Sequence, residues 1–475
     1  MTHPLSTLLA TLAFATAVAL PAQTQIGVTP LSRLDTKASY GGIWGYTSPD
    51  YREFAVVGER TGTWVVETTD PRNPVEVAYV PGPSSTWREI TSYRHMLYSV
   101  SEAHGGILLI DMSVPDLPRN LGYRFETLWS NSHTIAVDPD AGRIYVNGTT
   151  RGLAGMHILD VATDPAQPRL IGRYTNDYVH DVYARRGRAY LSLINRGRLR
   201  IVDALDPTAF VQIGEIQTPG GITHNAWATD DDTLLLTTDE DPSGYLTAYD
   251  ITNPRLPVRR GDFRSPNGAI VHLVLGIGRT AFLAFYSDGY YALDFENPMQ
   301  PRVIGSYDTS PQFVGTGFNG AWGVYPWSDD GTVYISDVQT GLHCLQQDVG
   351  HLHRYGLPSP GPSGTPRVTT EGASIRVGTS ALRFQMTGLA PNAPFALVVS
   401  AQRASFPFLG VWFHVDPAGA LLLTGAADAQ GRASLPFPIP ANDSLATRQL
   451  QMQLFALDAS GLVASRGMWF GIAPR

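Results

Sequence analysis

A single cysteine, Cys344, stands in the 475 residues, so no disulfide can form within the chain. Its place between His343 and Leu345 in a short apolar run predicts a core position. Lysine is as scarce: Lys37 is alone, and arginine makes up the rest of the basic side. Charged residues are 16% of the chain and the net charge is -8, which argues against a nucleic-acid partner. Beyond the first 22 residues no apolar run approaches a membrane span, so the mature chain is expected to have no transmembrane helix. Amphipathic helical periodicity is missing as well. Phosphate-binding loops, serine-nucleophile elbows and HExxH helices are absent, so the chain shows no sign of the chemistry those motifs support.

What is present is turn chemistry and short strands, with 47 glycines, 35 prolines and 10% aromatic residues. The stretch from Ser132 to Tyr174 contains four short β-type runs, near His133–Val137, Arg143–Asn147, Gly155–Val161 and Arg169–Tyr174. Asp, Gly and Pro bound each run, which favours strands over helices. The third run and its turn recur, aligned on Glu67, Asp111, Asp160, Asp203, Asp250, Asp294 and Gln346. The first run recurs in step, opening near Trp44, Trp87, His133, His180, His224, His272 and Trp322. A period of roughly 40 to 50 residues with four strands per unit predicts β-propeller blades. Both markers count seven copies. The last copy lacks a fourth strand, and Val28–Leu34 has the missing character, so an N-terminal strand should close the ring and remove its open edges.

The expected fold is therefore all-β. Residues 1–22 read as a secretory signal, 27–346 as a seven-bladed propeller, 347–366 as a Pro/Gly/Ser linker, and 367–475 as a small C-terminal β-sandwich. The repeat, through Leu199–Asp203, Ser132-His133, Tyr178–Asp181, Thr223–Asn225 and Gly320–Trp322, resembles the choice-of-anchor B family of exported bacterial propellers with LVIVD repeats. The tail resembles a C-terminal β-sandwich of planctomycete-type secreted proteins, through Val415-Asp416-Pro417 and Gly431–Pro436. These resemblances imply a secreted protein at the outer surface or in the periplasm, with the tail as an attachment or sorting domain. They assign no reaction. A monomer is expected.

Four candidates for chemistry follow. His133, His180, His224 and His272 open four consecutive blades, where they either hydrogen-bond neighbouring turns or ring the channel mouth. In the second case they bind a ligand or a transition metal, with Asp181 and Asn225 adding oxygen or orienting a ring. Trp44, Trp87 and Trp322 would give that mouth an aromatic arc suited to a sugar or peptide. Asp230–Asp232, Asp239–Asp241 and Asp329–Gly331 are either solvated turns or calcium loops. The arginines from Arg185 to Arg200 either face an anionic polymer or pair locally. The repeated aspartates are read as turn formers. The leading expectation is a non-catalytic binding or scaffold protein with a protein or polysaccharide partner. The alternative is a metal-dependent hydrolase or lyase at the histidine arc.

Overall fold

The computed structural model describes residues 25–475 except 243 and 372. The signal read over residues 1–22 lies outside the described residues. The N-terminal part is a β-propeller. Seven antiparallel sheets follow one another, each with its four main strands in order. Their first strands are Tyr40–Thr47, Arg88–Tyr93, Ile135–Asp138, Asp181–Arg185, Thr223–Ala228, Val271–Ile277 and Ala321–Tyr325. Each first strand touches the next, and that of the seventh sheet touches that of the first.

Packing explains why the sheets need one another. One sheet has two apolar faces, and each is buried only against a neighbour. Leu236 and Ala248 of the fifth sheet meet Phe285 and Leu293 of the sixth. Trp64 and Val66 of the first sheet meet Tyr334 and Leu342 of the seventh, which closes the circle. Cys344 is buried in that same cluster, as expected, and burial pushes its thiol up to about 12.

The repeated aspartates do end the third strands as turn formers. The carboxylates of Asp111, Asp203, Asp250 and Asp294 accept from the backbone N–H two residues on, at 2.8, 2.9, 3.0 and 2.8 Å. Asp160 makes the same bond to Ala162 at 3.0 Å. Val28–Leu34 pairs antiparallel with Gly341–Gln347 and supplies the fourth strand of the seventh sheet. A shorter strand, Gln25–Ile26, adds to the edge of the sixth sheet, and the repeat gave no sign of it.

The residues after Gln347 depart from the expected linker. Leu352–Tyr355 is a strand that pairs with Gly467–Gly471 of the C-terminal domain. His351 and His353 are buried there, and the His353 ring stacks on Trp469. Leu352 and His353 are buried and Arg354 and Tyr355 half-buried, enough to join a sheet, which the Pro/Gly-rich composition downstream concealed. The C-terminal domain has a six-stranded sheet and a three-stranded sheet. Val368, Phe384 and Met386 of the smaller sheet share one core with Leu397, Leu454 and Phe470 of the larger. No helix among the described residues is long and apolar enough to cross a membrane.

The two parts are bound together. Ala473 enters the core between the sixth and seventh sheets, and Ser374 Oγ donates to Asp294 at 2.6 Å. Asp329 forms ion pairs with Arg367 at 2.6 Å and Arg466 at 2.8 Å, while Arg354 lies 4.0 Å away. Burial alone would raise the Asp329 carboxyl; Arg354, Arg367 and Arg466 outweigh it and hold the group below its usual range. Asp330 turns inward to Ser328 and Thr332. This acidic turn is thus occupied by arginine and hydroxyl partners, and the calcium reading of it is withdrawn.

Glu53 lies in the same buried region. Burial, then the nearby Asp330, push its carboxyl up to about 8. An unfolded glutamate titrates near pH 4 to 5, so the folded chain retains this proton over the interval between. The stability it contributes is full below the unfolded pKa and is lost as pH rises through about 8. Glu53→Gln should therefore melt like the parent at pH 5 and be more stable at pH 9, by roughly 2 kcal/mol or more. Equal pH slopes in thermal melts would show that the carboxyl is not buried in this way.

Candidate functional site

The first strands deliver the histidines to the channel through local irregularities. The pairing register shifts between Thr223 and Asn225, between Val271 and Leu273, and between Ala321 and Gly323. His224, His272 and Trp322 sit on these bulges, which re-aim a side chain out of the sheet. His133 and His180 precede their strands, and their backbone N–H groups donate to Asn147 and Ser192, each at 2.9 Å.

The four imidazoles form one continuous arc. Ring centroids are 4.2 Å apart for His133 and His180, 4.5 Å for His180 and His224, and 4.4 Å for His224 and His272. Trp322 extends the arc, 4.6 Å from His272. Its indole N–H donates to Glu89 Oε1 at 2.8 Å. Beside Glu89 the first sheet contributes Gly42, whose missing Cβ would fall 2.1 Å from Glu89 Oε2. The circle closes from Trp322 to Glu89 across the first sheet's place, kept open by glycine, and Glu89 in turn neighbours His133 of the third sheet.

The expected aromatic arc is corrected by this geometry. Only Trp322 is in the circle. Trp44 lies two residues past Gly42, where its indole donates to Ser92 Oγ at 3.0 Å and packs on Tyr325 and Trp327. Trp87 is 47% exposed and outside the channel. Arg88 takes the buried place instead, its guanidinium donating to the Glu59 and Pro83 carbonyls at 3.0 and 2.6 Å.

Carboxylates complete the mouth. Glu102 Oε1 is 2.6 Å from His133 Nδ1. Glu240 Oε2 is 3.6 Å from His224 Nε2, and its Oε1 is 3.9 Å from His272 Nε2 and accepts from Tyr286 at 2.7 Å. One donor atom each from His180, His224 and Glu240 lie within 4.8 Å of one another. Sequence spacing put Glu240 in a calcium loop. Its true position follows from the end of the second strand in the fifth sheet, which meets the channel at the same face as the first-strand starts. Neighbouring Asp239 is held by Thr218, Gly220 and Ile222, and Asp231 by Thr229, Thr233 and Arg279. Those two acidic loops are therefore not built as calcium cages either.

Burial sets the electrostatics. It depresses His180 and His224 well below the usual imidazole range, neighbouring histidines adding to the effect, and lowers His272. These rings are neutral at pH 7. Burial pushes Glu89 up to about 7, against the hydrogen bond from Trp322. Asp181 is also raised by burial; it accepts from Asn225 Nδ2 at 2.6 Å, and Asn225 Oδ1 accepts from Val274 N–H at 3.0 Å. These bonds tie the fourth, fifth and sixth sheets together and fix the orientation of the Asn225 amide.

Behind the arc the channel widens into a cavity of about 690 Å³. Trp44, Tyr325 and Trp327 line it, and Arg367, Thr369 and Ile375 of the C-terminal domain border its far end. No family model matches this chain. No curated protein matches it. Among solved structures it is similar to the β-propeller domain of Myceliophteria thermophila Cps50 (Swd1), with 12% identity and a TM-score of 0.48, covering 67% of this chain and 98% of that one. It is similar also to the WD40 repeats of RRP9, with 11% identity and a TM-score of 0.47, covering 67% and 97%. Likeness at this level carries nothing about ligands or partners.

The blade-four arginines are accounted for within the chain. Arg200 and Arg198 pair with Glu215, Arg196 with Asp177 at 3.0 Å, and Arg185 with Asp230. Local ion pairing accounts for the cluster.

Proposed function

We propose that this chain is an exported, non-catalytic binding protein of the choice-of-anchor B type. It is a seven-bladed propeller shut by its N-terminal strand and followed by a β-sandwich that attaches or spaces it at the cell surface. The signal-like residues 1–22 and the LVIVD-like repeats support export to the outer surface or periplasm, and a monomer fits the closed ring. The observation that carries the binding reading is the cavity of about 690 Å³ in the channel, floored by the histidine arc and lined by aromatic rings.

Trp44 and Trp327, their indole N–H groups already given to Ser92 and Gly276, offer apolar ring faces on which a polysaccharide or peptide partner stacks. Glycan and peptide arrays probed with purified protein should give signals that fall about tenfold or more in Trp44→Ala, consistent with loss of one aromatic contact. A reaction catalysed by the parent and abolished in Glu89→Gln would overturn the non-catalytic reading. That outcome would favour the alternative, a hydrolase or lyase. Its supporting observation is the raised Glu89 carboxyl at the end of a run of neutral imidazoles.

A further inference from the structure

We propose that the channel mouth is a binding site for one divalent transition-metal ion of the zinc class, held by His180, His224 and Glu240. The three donors come from separate segments of the fourth and fifth sheets, and their atoms converge to within 4.8 Å of one another. A tetrahedral ion with bonds of 2.0 to 2.1 Å needs donors about 3.3 Å apart. His224 Nε2 and Glu240 Oε2, at 3.6 Å, are nearly there, so side-chain rotation alone closes the set.

The surroundings are built as a metal site's outer shell is built. Tyr286 donates to Glu240 Oε1, which leaves Oε2 for the ion. Glu102 accepts from His133 Nδ1 and the Trp322 carbonyl from His272 Nδ1, so both flanking rings present a bare Nε2 towards the arc. His133 Nε2 lies 3.2 Å from His180 Nε2, in place to supply a fourth donor. His224 Nδ1 is buried and makes no hydrogen bond of good geometry, although the His272 backbone stands beside the ring.

The chemistry selects the class of ion. Two imidazoles and a carboxylate suit zinc, copper or nickel, whereas calcium and magnesium require more oxygen than is present. Entry is open from the mouth, where the Glu102 and Glu240 side chains are 39% and 17% exposed.

The test uses the full chain without a histidine tag, stripped with a chelator and titrated with zinc sulfate. Calorimetry and native mass spectrometry should show one ion per chain, and zinc but not magnesium should raise the melting temperature. Cobalt(II) in the same place should give the intense visible absorption of a four-coordinate site. Glu240→Gln, nearly isosteric, and His180→Ala should each weaken zinc binding by at least about tenfold. Melts without metal establish that both variants fold. Absence of binding by the parent overturns the proposal, and so does equal binding by parent and folded Glu240→Gln.

Discussion

A chain lacking residues 25–34 is expected to lose on the order of 5 kcal/mol of stability, from one buried valine and a ladder of backbone hydrogen bonds. Val28 is buried against the sixth and seventh sheets, and the strand it begins pairs with Leu342 to Gln347. Without it that strand has an open edge, and an uncovered edge recruits other chains. The truncated protein should melt far below the parent and elute as aggregates on size exclusion. A synthetic peptide of residues 25–35, added in excess, should restore much of the melting temperature by binding only the folded form. Unchanged melting of the truncated chain would mean that the ring does not depend on this strand.

The second large effect is expected at Asp329. Its carboxylate is 4% exposed and meets Arg367 and Arg466, with Arg354 close behind. Arg354 and Arg466 are themselves mostly buried, at 11% and 12% exposure. Asp329→Ala leaves these guanidinium groups inside the protein without a counter-charge, which costs about 3–5 kcal/mol. Because the arginines belong to the C-terminal part and Asp329 to the propeller, the loss should appear as separation of one melting transition into two. Trypsin should then cut after Arg354 or Arg367, on either side of residues 356–366, sooner than in the parent. Adding Arg466→Ala should recover part of the loss, since one orphaned charge is removed. A single unshifted transition would show that other contacts, such as Ser374 with Asp294, suffice.

The propeller was legible because its turns are chemically constrained. An Asp that caps its own backbone, with a proline a few residues on, recurs at five of the seven third-strand ends, and this spacing survives changes in the residues around it. The strand Val28–Leu34 was legible for a related reason, since a seventh unit lacking one strand needs a donor. The histidine arc was visible as a set of equivalent positions. Its completion was not. Glu89 and Gly42 occupy the remaining places; a bulge between Tyr40 and Ile43 hid Gly42 behind the more conspicuous Trp44, and Glu89 stands in regular register two residues past Trp87. Glu240 was misread because its role depends on how the end of one strand meets the start of another, which local spacing does not encode. The strand Leu352–Tyr355 was lost in a composition dominated by the prolines and glycines that follow it.

The seam between the seventh sheet and the N-terminal strand also governs when the protein can finish folding. Thr29 and Asp348, hydrogen-bonded side by side, are 319 positions apart in the chain. Bringing such distant segments together costs about 5 kcal/mol of loop entropy, and at 5–20 residues per second the ribosome needs roughly 15–60 s to make what lies between. The earliest strand of the domain must wait, unpartnered, until its last strand arrives, so the slowest refolding phase should be the docking of that strand.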